Sequence, residues 1–250
     1  MLFRSEARRG LLFLAQVVTG DWEKLVPRQA ALQKSMEEFI RENRLSAVAK
    51  TVMTDDFERG VTTLLQVAGL GALQPNTVLM GWSDDAVKQH LFTRTVRRVL
   101  ELKRNLIVFR EATRPVDQLE PYIDIWWRAK ENGSLMLTLA HLLQANRRWR
   151  DHTIRVIRII RDEDGREEAR LGTEKLLAEA RFHAETEVVV SQEKPLLTIG
   201  RVSRRSAVCF VGVSMQVLEV GDDPLADYSI LVGALEGNLF LTKNWHDLEL

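Results

Sequence analysis

The residues of this chain that could do chemistry are few and poorly spaced for it. A phosphate cradle of the form G-x-x-x-x-G-K-[ST] does not occur. Gly69-Leu70-Gly71 begins a G-x-G-x-x-G turn, but Gln74 stands where the third glycine is needed. No two of the 14 glycines are spaced G-x-x-G. The single cysteine, Cys209, lies within the apolar run Ala207–Val213, a setting for packing rather than for a reactive thiolate. His90, His141, His152, His183 and His246 are scattered, and none pairs with another at metal-ligand spacing. There is no G-x-S-x-G elbow to expose a nucleophilic serine. The acid pairs Asp55/Asp56 and Asp84/Asp85 suit helix starts, where negative charge meets the positive end of the helix dipole. These residues predict no catalytic group and no metal site.

Two basic clusters remain. Arg94, Arg97, Arg98, Lys103 and Arg104 crowd one stretch, and Arg147, Arg148 and Arg150 surround Trp149. They could meet anionic lipid or an acidic partner, but a solvated helix face is the simpler reading. The whole chain offers no charge case for nucleic acid, since 35 Lys and Arg balance 35 Asp and Glu. Trp126 and Trp127 are adjacent in an expected strand and so should point to opposite faces, both needing cover. Trp22, Trp82 and Trp245 are the candidates for an interface.

The elements that must position these residues alternate along the chain. Strands are expected at Leu11–Val18, Ala47–Thr54, Thr77–Trp82 and Asn105–Glu111, then at Tyr122–Trp127, Thr153–Ile160, Glu185–Val190, Ala207–Val213 and Leu239–Lys243. Most are continuous apolar runs without alternation, the pattern of parallel strands covered on both faces. Helices fill most gaps. One runs from Pro27 to about Glu42, one opens at Asp55-Asp56 and ends near Gly69 and Gly71, and one opens at Asp84-Asp85. Ser134 is expected to cap a buried helix, Leu135–Leu143. The alternation predicts an α/β fold with a mostly parallel sheet. With 250 residues, 45% apolar, the chain can bury a real core. One cysteine excludes an intrachain disulfide, and no apolar run approaches the roughly 20 residues of a membrane span.

The chain also repeats itself. Asn105-Leu106-Ile107-Val108-Phe109-Arg110 resembles Asn238-Leu239-Phe240-Leu241-Thr242-Lys243, and each follows a helix that follows an apolar strand. Laying one half on the other gives a first half at 1–114 and a second at 115–250, with the seam at Arg114-Pro115. The second half then has an extra strand at its front, Tyr122–Trp127. The first half has only Met1–Gly10 in that place, too short for a strand and its helix, so either the halves differ or the chain starts inside its first unit, and the expectation is a first half without its first strand.

Three stretches resemble a known family. Ala68-Gly69-Leu70-Gly71-Ala72-Leu73-Gln74-Pro75-Asn76-Thr77-Val78-Leu79-Met80-Gly81-Trp82 is similar to a long ordered motif in the C-terminal cytosolic domain of the cation-chloride cotransporters. So are Ile123-Asp124-Ile125-Trp126-Trp127 with Gly133-Ser134-Leu135-Met136-Leu137, and Trp149-Arg150-Asp151-His152-Thr153-Ile154-Arg155-Val156. Arg28-Gln29-Ala30 and Asp55-Asp56-Phe57-Glu58-Arg59-Gly60 also fit. The resemblance implies two α/β halves like universal stress proteins and a non-catalytic regulatory and dimerisation role. It also implies a homodimer at the inner face of the cell membrane, partnered by a transporter's membrane domain that moves chloride with sodium or potassium. No cofactor is expected; a nucleotide is the one ligand the resemblance suggests, although the glycine pair used by nucleotide-binding stress proteins is missing. A ligand in an open α/β sheet would sit beyond the strand ends, which singles out Gly81, Trp82 and Ser83. The family's domain begins with a strand and helix before the segment matching Leu11–Val18, so the opening strand would come from upstream or from another chain. The alternative functions are a free-standing nucleotide-binding stress protein and a hydrolase using dispersed Ser, His and Asp groups.

Overall fold

The computed structural model describes residues 12–69, 74–83, 85, 88–128, 130–214 and 225–245. Within these, the chain forms two compact units, Met1–Thr77 with Asp85–Leu102 and Val78–Asp84 with Lys103–Leu250. The halves 1–114 and 115–250 describe the repeat in the sequence, and the compact units cut across them.

The first unit holds a parallel pair, β1 (Leu12–Thr19) and β2 (Ala47–Thr54), in register from Leu12↔Ala47 to Thr19↔Thr54. The connection is α1 (Trp22–Leu25), a 3-10 turn at Val26–Arg28 and α2 (Gln29–Glu42). Pro27 therefore sits in the turn, and the regular helix starts two residues later than the proline signal suggests. α3 (Phe57–Val67) begins as expected: the Asp56 carboxylate accepts from the Arg59 N–H at 2.8 Å. It lies close on the sheet, for a Cβ at Gly60 would stand 2.5 Å from Val17 Cγ1. The helix ends at Val67, and Gly71 is outside the described residues. α4 (Gln89–Glu101) starts later than an Asp84-Asp85 opening implies; Asp85 pairs with Lys88 at 3.3 Å, and Asp84 is outside the described residues.

The second unit is built on a seven-stranded sheet. Its strands are β3 (Thr77–Gly81), β4 (Asn105–Arg110), β5 (Glu120–Trp126), β6 (Thr153–Ile160), β7 (Glu185–Val190), β8 (Ser206–Gly212) and β9 (Asn238–Lys243), in the order β3-β4-β9-β8-β5-β6-β7. From β7 through β9 all pairs are parallel, and β4 meets β9 antiparallel. Its helices include α5 (Lys130–Gln144), α6 (Arg166–Glu179), α7 (Pro195–Val202) and α8 (Ser229–Ala234). Ile123, Ile125, Val208 and Phe210 of the sheet pack with Met136, Leu137 and Ala140 of α5 in one buried cluster. One expectation needs correction: α5 begins at Lys130, so Ser134 lies inside it rather than capping it. The two tryptophans do point to opposite faces: Trp126, the last residue of β5, donates its indole N–H to Ser203, while Trp127, one residue past the strand, packs on the α5 cluster with Ile123 and Ile125.

The β4–β9 pairing explains why the repeat does not yield two separate sheets. Laid on each other, the two repeats make Val108 and Leu241 equivalent, and these two residues face each other in the pairing. A local twofold axis therefore passes between them. The repeat asparagines obey it: Asn238 Oδ1 accepts from the Ala112 N–H at 3.1 Å, and Asn105 Oδ1 accepts from the Trp245 N–H at 2.7 Å. Each buried amide fastens the chain just beyond the other half's last strand.

In the second half, counted along the sequence, the five strands lie in the order third, second, first, fourth, fifth. The first half provides β1-β2 and β3-β4 as separate pairs. Among the described residues nothing corresponds to β5, the strand that stands between β6 and β8 in the second half.

Candidate functional site

Gly81 closes β3, with Trp82 and Ser83 after it. Gly81 is exposed and the other two are half-buried. The Trp82 N–H donates to the Phe109 carbonyl at 2.7 Å, which fixes the strand end against β4. A Cβ placed on Gly81 would meet nothing within 4 Å, so there is open space at this strand end. The structure thus brings the three expected residues together at the carboxyl end of an open sheet.

The second half carries the same signature, Gly212-Val213-Ser214, at the end of β8. That position is closed. A Cβ at Gly212 would stand 2.7 Å from Asn132 Nδ2. Asn132, in the first turn of α5, donates from Nδ2 to the Val213 carbonyl at 3.1 Å and accepts on Oδ1 from the Asn244 N–H at 2.8 Å. The Tyr228 hydroxyl donates to the Gly212 carbonyl at 3.4 Å, and burial, foremost, pushes its pKa up. Beside this, Trp127 presses on the helix start: a Cβ at Gly133 would lie 2.0 Å from its ring, so only glycine fits. The chain's own side chains fill the second crevice.

A buried polar network on the face of the second half was not singled out by its sequence. Asp124, fully buried on β5, accepts from Arg155 Nε at 2.8 Å and from Arg155 Nη2 at 3.0 Å. Ser203 and Ser206 donate to its Oδ2 at 2.6 and 2.5 Å. Ser203 in turn accepts from the Trp126 indole N–H at 2.9 Å. Arg155 also reaches Glu187 at 3.1 Å and lies 3.9 Å above the Tyr122 ring. The visible signal is one charged residue inside each of two apolar strands, Ile123-Asp124-Ile125 and Ile154-Arg155-Val156. Every oxygen of the carboxylate is occupied, and both serine protons point at it. This is a fastening between strands, because a nucleophilic serine would need a base free to take its proton. Cys209, beside it, is held as a thiol: burial, then the Asp124 charge, pushes its pKa far up.

The remaining candidates separate. Arg98 binds Glu58 through Nε at 3.0 Å and through Nη2 at 2.8 Å, and Arg94 pairs with the same carboxylate. The cluster on α4 is thereby partly neutralised by α3. Arg148 lies 5.5 Å over the Trp149 ring, and Arg147 and Arg150 are exposed. His141 meets Phe182 edge-on and His152 meets Trp149 edge-on, at 6.3 and 5.0 Å between ring centres. His183 is exposed, and His246 lies outside the described residues. Among the described residues no group of His, Cys, Asp and Glu could hold a metal ion. No helix of the described residues is long and apolar enough to cross a membrane. Trp22 is 62% exposed, as an interface residue would be, while Trp245 is half-buried.

Comparison with known proteins agrees with this geometry. Residues 7–114 match the model of solute carrier family 12. The cytoplasmic domain of a prokaryotic cation chloride cotransporter superposes with a TM-score of 0.64 at 12% identity, covering 94% of this chain and 96% of that one. A universal stress protein from Archaeoglobus fulgidus DSM 4304 gives 0.56 at 14% identity, with 94% and 85% covered. A protein of unknown function from Pseudomonas aeruginosa PAO1 gives 0.56 at 14%, with 92% and 81% covered. The chain has the mixed α/β, mostly parallel, universal-stress-like fold, and the cotransporter resemblance read from its motifs agrees with the family model over residues 7–114.

Proposed function

We propose that this chain is a cytosolic regulatory and dimerisation module of a cation-chloride cotransporter, acting without catalysis by biasing the transport states of a membrane domain. The observation that carries the reading is the joint match: the solute carrier family 12 model over 7–114 and the cotransporter cytoplasmic domain over 94% of the chain. The polar chemistry fits a module of this kind. The second crevice is filled by Asn132, and the buried carboxylate Asp124 is fully engaged. The partners are a second copy of the chain and a transporter's membrane domain, at the inner face of the cell membrane. Light scattering at high micromolar concentration tests dimerisation: a dimeric mass is expected, and a strictly monomeric one contradicts it.

One observation favours a second reading. The first-half strand end at Gly81, Trp82 and Ser83 is open, and the universal stress protein likeness makes a nucleotide the ligand to try there. Calorimetry with ATP and ADP separates the readings. Micromolar binding that is lost in Gly81→Trp favours the free-standing nucleotide-binding protein, and no heat at millimolar nucleotide favours the regulatory module.

A further inference from the structure

The two basic clusters singled out in the sequence have opposite fates in the structure. On α4, Arg98 pairs with Glu58 and Glu101, and Arg94 shares Glu58. The turn between α5 and β6 carries Arg147, Arg148 and Arg150, all exposed, and none of the three has an ion pair among the described residues. The acid of this turn is Asp151. The turn is ordered before anything binds it. Asn146 accepts on Oδ1 from the Arg148 N–H at 3.0 Å and on its carbonyl from the Trp149 N–H at 2.9 Å. The Trp149 carbonyl accepts from the His152 N–H at 3.1 Å, and Gln144 Nε2 donates to the His152 carbonyl at 3.0 Å. Trp149 is half-buried and packs on the core cluster of the second half. It anchors the turn, and the arginines beside it stand in solvent with little backbone freedom left to lose on binding. The neighbouring turn before β7 adds Arg181 but also Glu179 and Glu185, all exposed, so it contributes no positive charge. Both turns lie at the amino-terminal ends of the parallel strands, the end opposite Gly212.

We propose that the Arg147–Arg150 turn docks on an anionic lipid surface, its three guanidiniums pairing with the phosphate and carboxylate groups of the headgroups. A protein partner is held by a buried apolar centre inside a polar rim. Among the described residues no large apolar side chain of this turn is exposed, and Trp149 is committed to the core. The turn therefore offers charge alone, which suits a flat anionic surface. The choice of lipid also rests on the reading of the chain as a module at the inner face of the cell membrane, the leaflet that carries negative charge. Each arginine near such a surface strengthens binding about fivefold, so the three together give on the order of a hundredfold. That is too little to hold a free chain tightly. It is enough to orient one already kept beside the membrane, where the effective concentration is high.

The test is co-sedimentation of the full chain with vesicles of phosphatidylcholine, alone or with about 30% phosphatidylserine. Binding to the serine-lipid vesicles should be stronger by about tenfold or more, and should fall by about tenfold or more between about 50 and about 500 mM salt. The variant Arg147→Gln/Arg148→Gln/Arg150→Gln should lose about tenfold or more of that binding. Arg28→Gln/Arg44→Gln/Arg161→Gln removes the same charge from three other exposed arginines and should stay within about twofold of the unaltered chain. If the first variant does not fold, by circular dichroism, hydrogen exchange on the unaltered chain decides: slowing across Arg147–Arg150 on serine-lipid vesicles is expected, and its absence overturns the proposal. Equal binding to both kinds of vesicle overturns it, and so do equal losses in the two variants, because binding would then read net charge. Binding to a polyglutamate peptide but not to vesicles, lost in the first variant, assigns the turn to an acidic protein and overturns the lipid reading. None of these measurements reads transport or oligomeric state, so their failure leaves the regulatory reading to its own tests.

Discussion

β3 and β8 descend from one pattern and live in opposite surroundings. Each is a short apolar strand ending in Gly-x-Ser. β8 is clasped by two parallel neighbours, and its glycine meets Asn132. β3 has one neighbour among the described residues, and its glycine meets open space. Sequence alone does not decide whether an apolar strand is core or edge. The presence of β5 decides it, because that one strand supplies both the missing ladder and, through the turn into α5, the side chain that closes the strand end. Among the described residues, then, one half carries a finished core, while the other shows β3 with a single neighbour and open space at Gly81.

The sharpest way to break this comparison is at the aligned pair. Phe210→Ala should cost about 3–5 kcal/mol in urea unfolding, as a cavity in a packed core does, and Leu79→Ala should stay within about 0.5 kcal/mol. Equal losses would mean that β3 is as buried as β8. Next is the fastening that holds β5 to β6. Asp124→Ala should cost about 3 kcal/mol, because Arg155 loses its buried carboxylate partner and the two serine hydroxyls lose their acceptor. A loss below about 1 kcal/mol would mean that the network is ornamental.

A smaller effect is expected at the two glycines. Gly212→Ala pushes a methyl into Asn132 and should cost about 1–3 kcal/mol, while Gly81→Ala should be neutral within about 0.5 kcal/mol. The smallest effect is a pH dependence. Burial, foremost, lowers the His152 pKa, so the native state favours neutral imidazole. The unfolded chain then binds the extra proton first, and stability should fall as pH drops through about 6.5 and below. His152→Gln should flatten that slope in urea titrations repeated at several pH values.

Much of the fold was legible because it is written in local signals. All nine expected strands are found, three of them (Ala47–Thr54, Thr153–Ile160 and Glu185–Val190) with the boundaries the apolar runs implied. The Asp56 cap was legible because a helix N-terminus needs a side-chain acceptor for its unpaired N–H groups. What escaped were long-range facts. Ser134 reads as a cap, but the helix extends back to Lys130, with Gly133 seated against Trp127. The antiparallel join of β4 to β9 cannot be seen in either strand, although the repeat contained it, since two equivalent last strands meet about a twofold axis. At the candidate site, Gly81, Trp82 and Ser83 were found by fold position. Asn132 as a plug carried no signal, because an asparagine near a helix start is ordinary until the fold sets it against Gly212, far along the sequence.

The proposed function requires coupled chloride transport to depend on this chain. The most direct test is chloride-dependent potassium and sodium uptake in the native cell, measured before and after deletion of the coding region for residues 12–245 and after its return. The account predicts that deletion changes chloride-dependent uptake and that the returned chain restores it. Uptake unchanged by deletion, with chloride removal still inhibiting it to the same degree, would contradict the account.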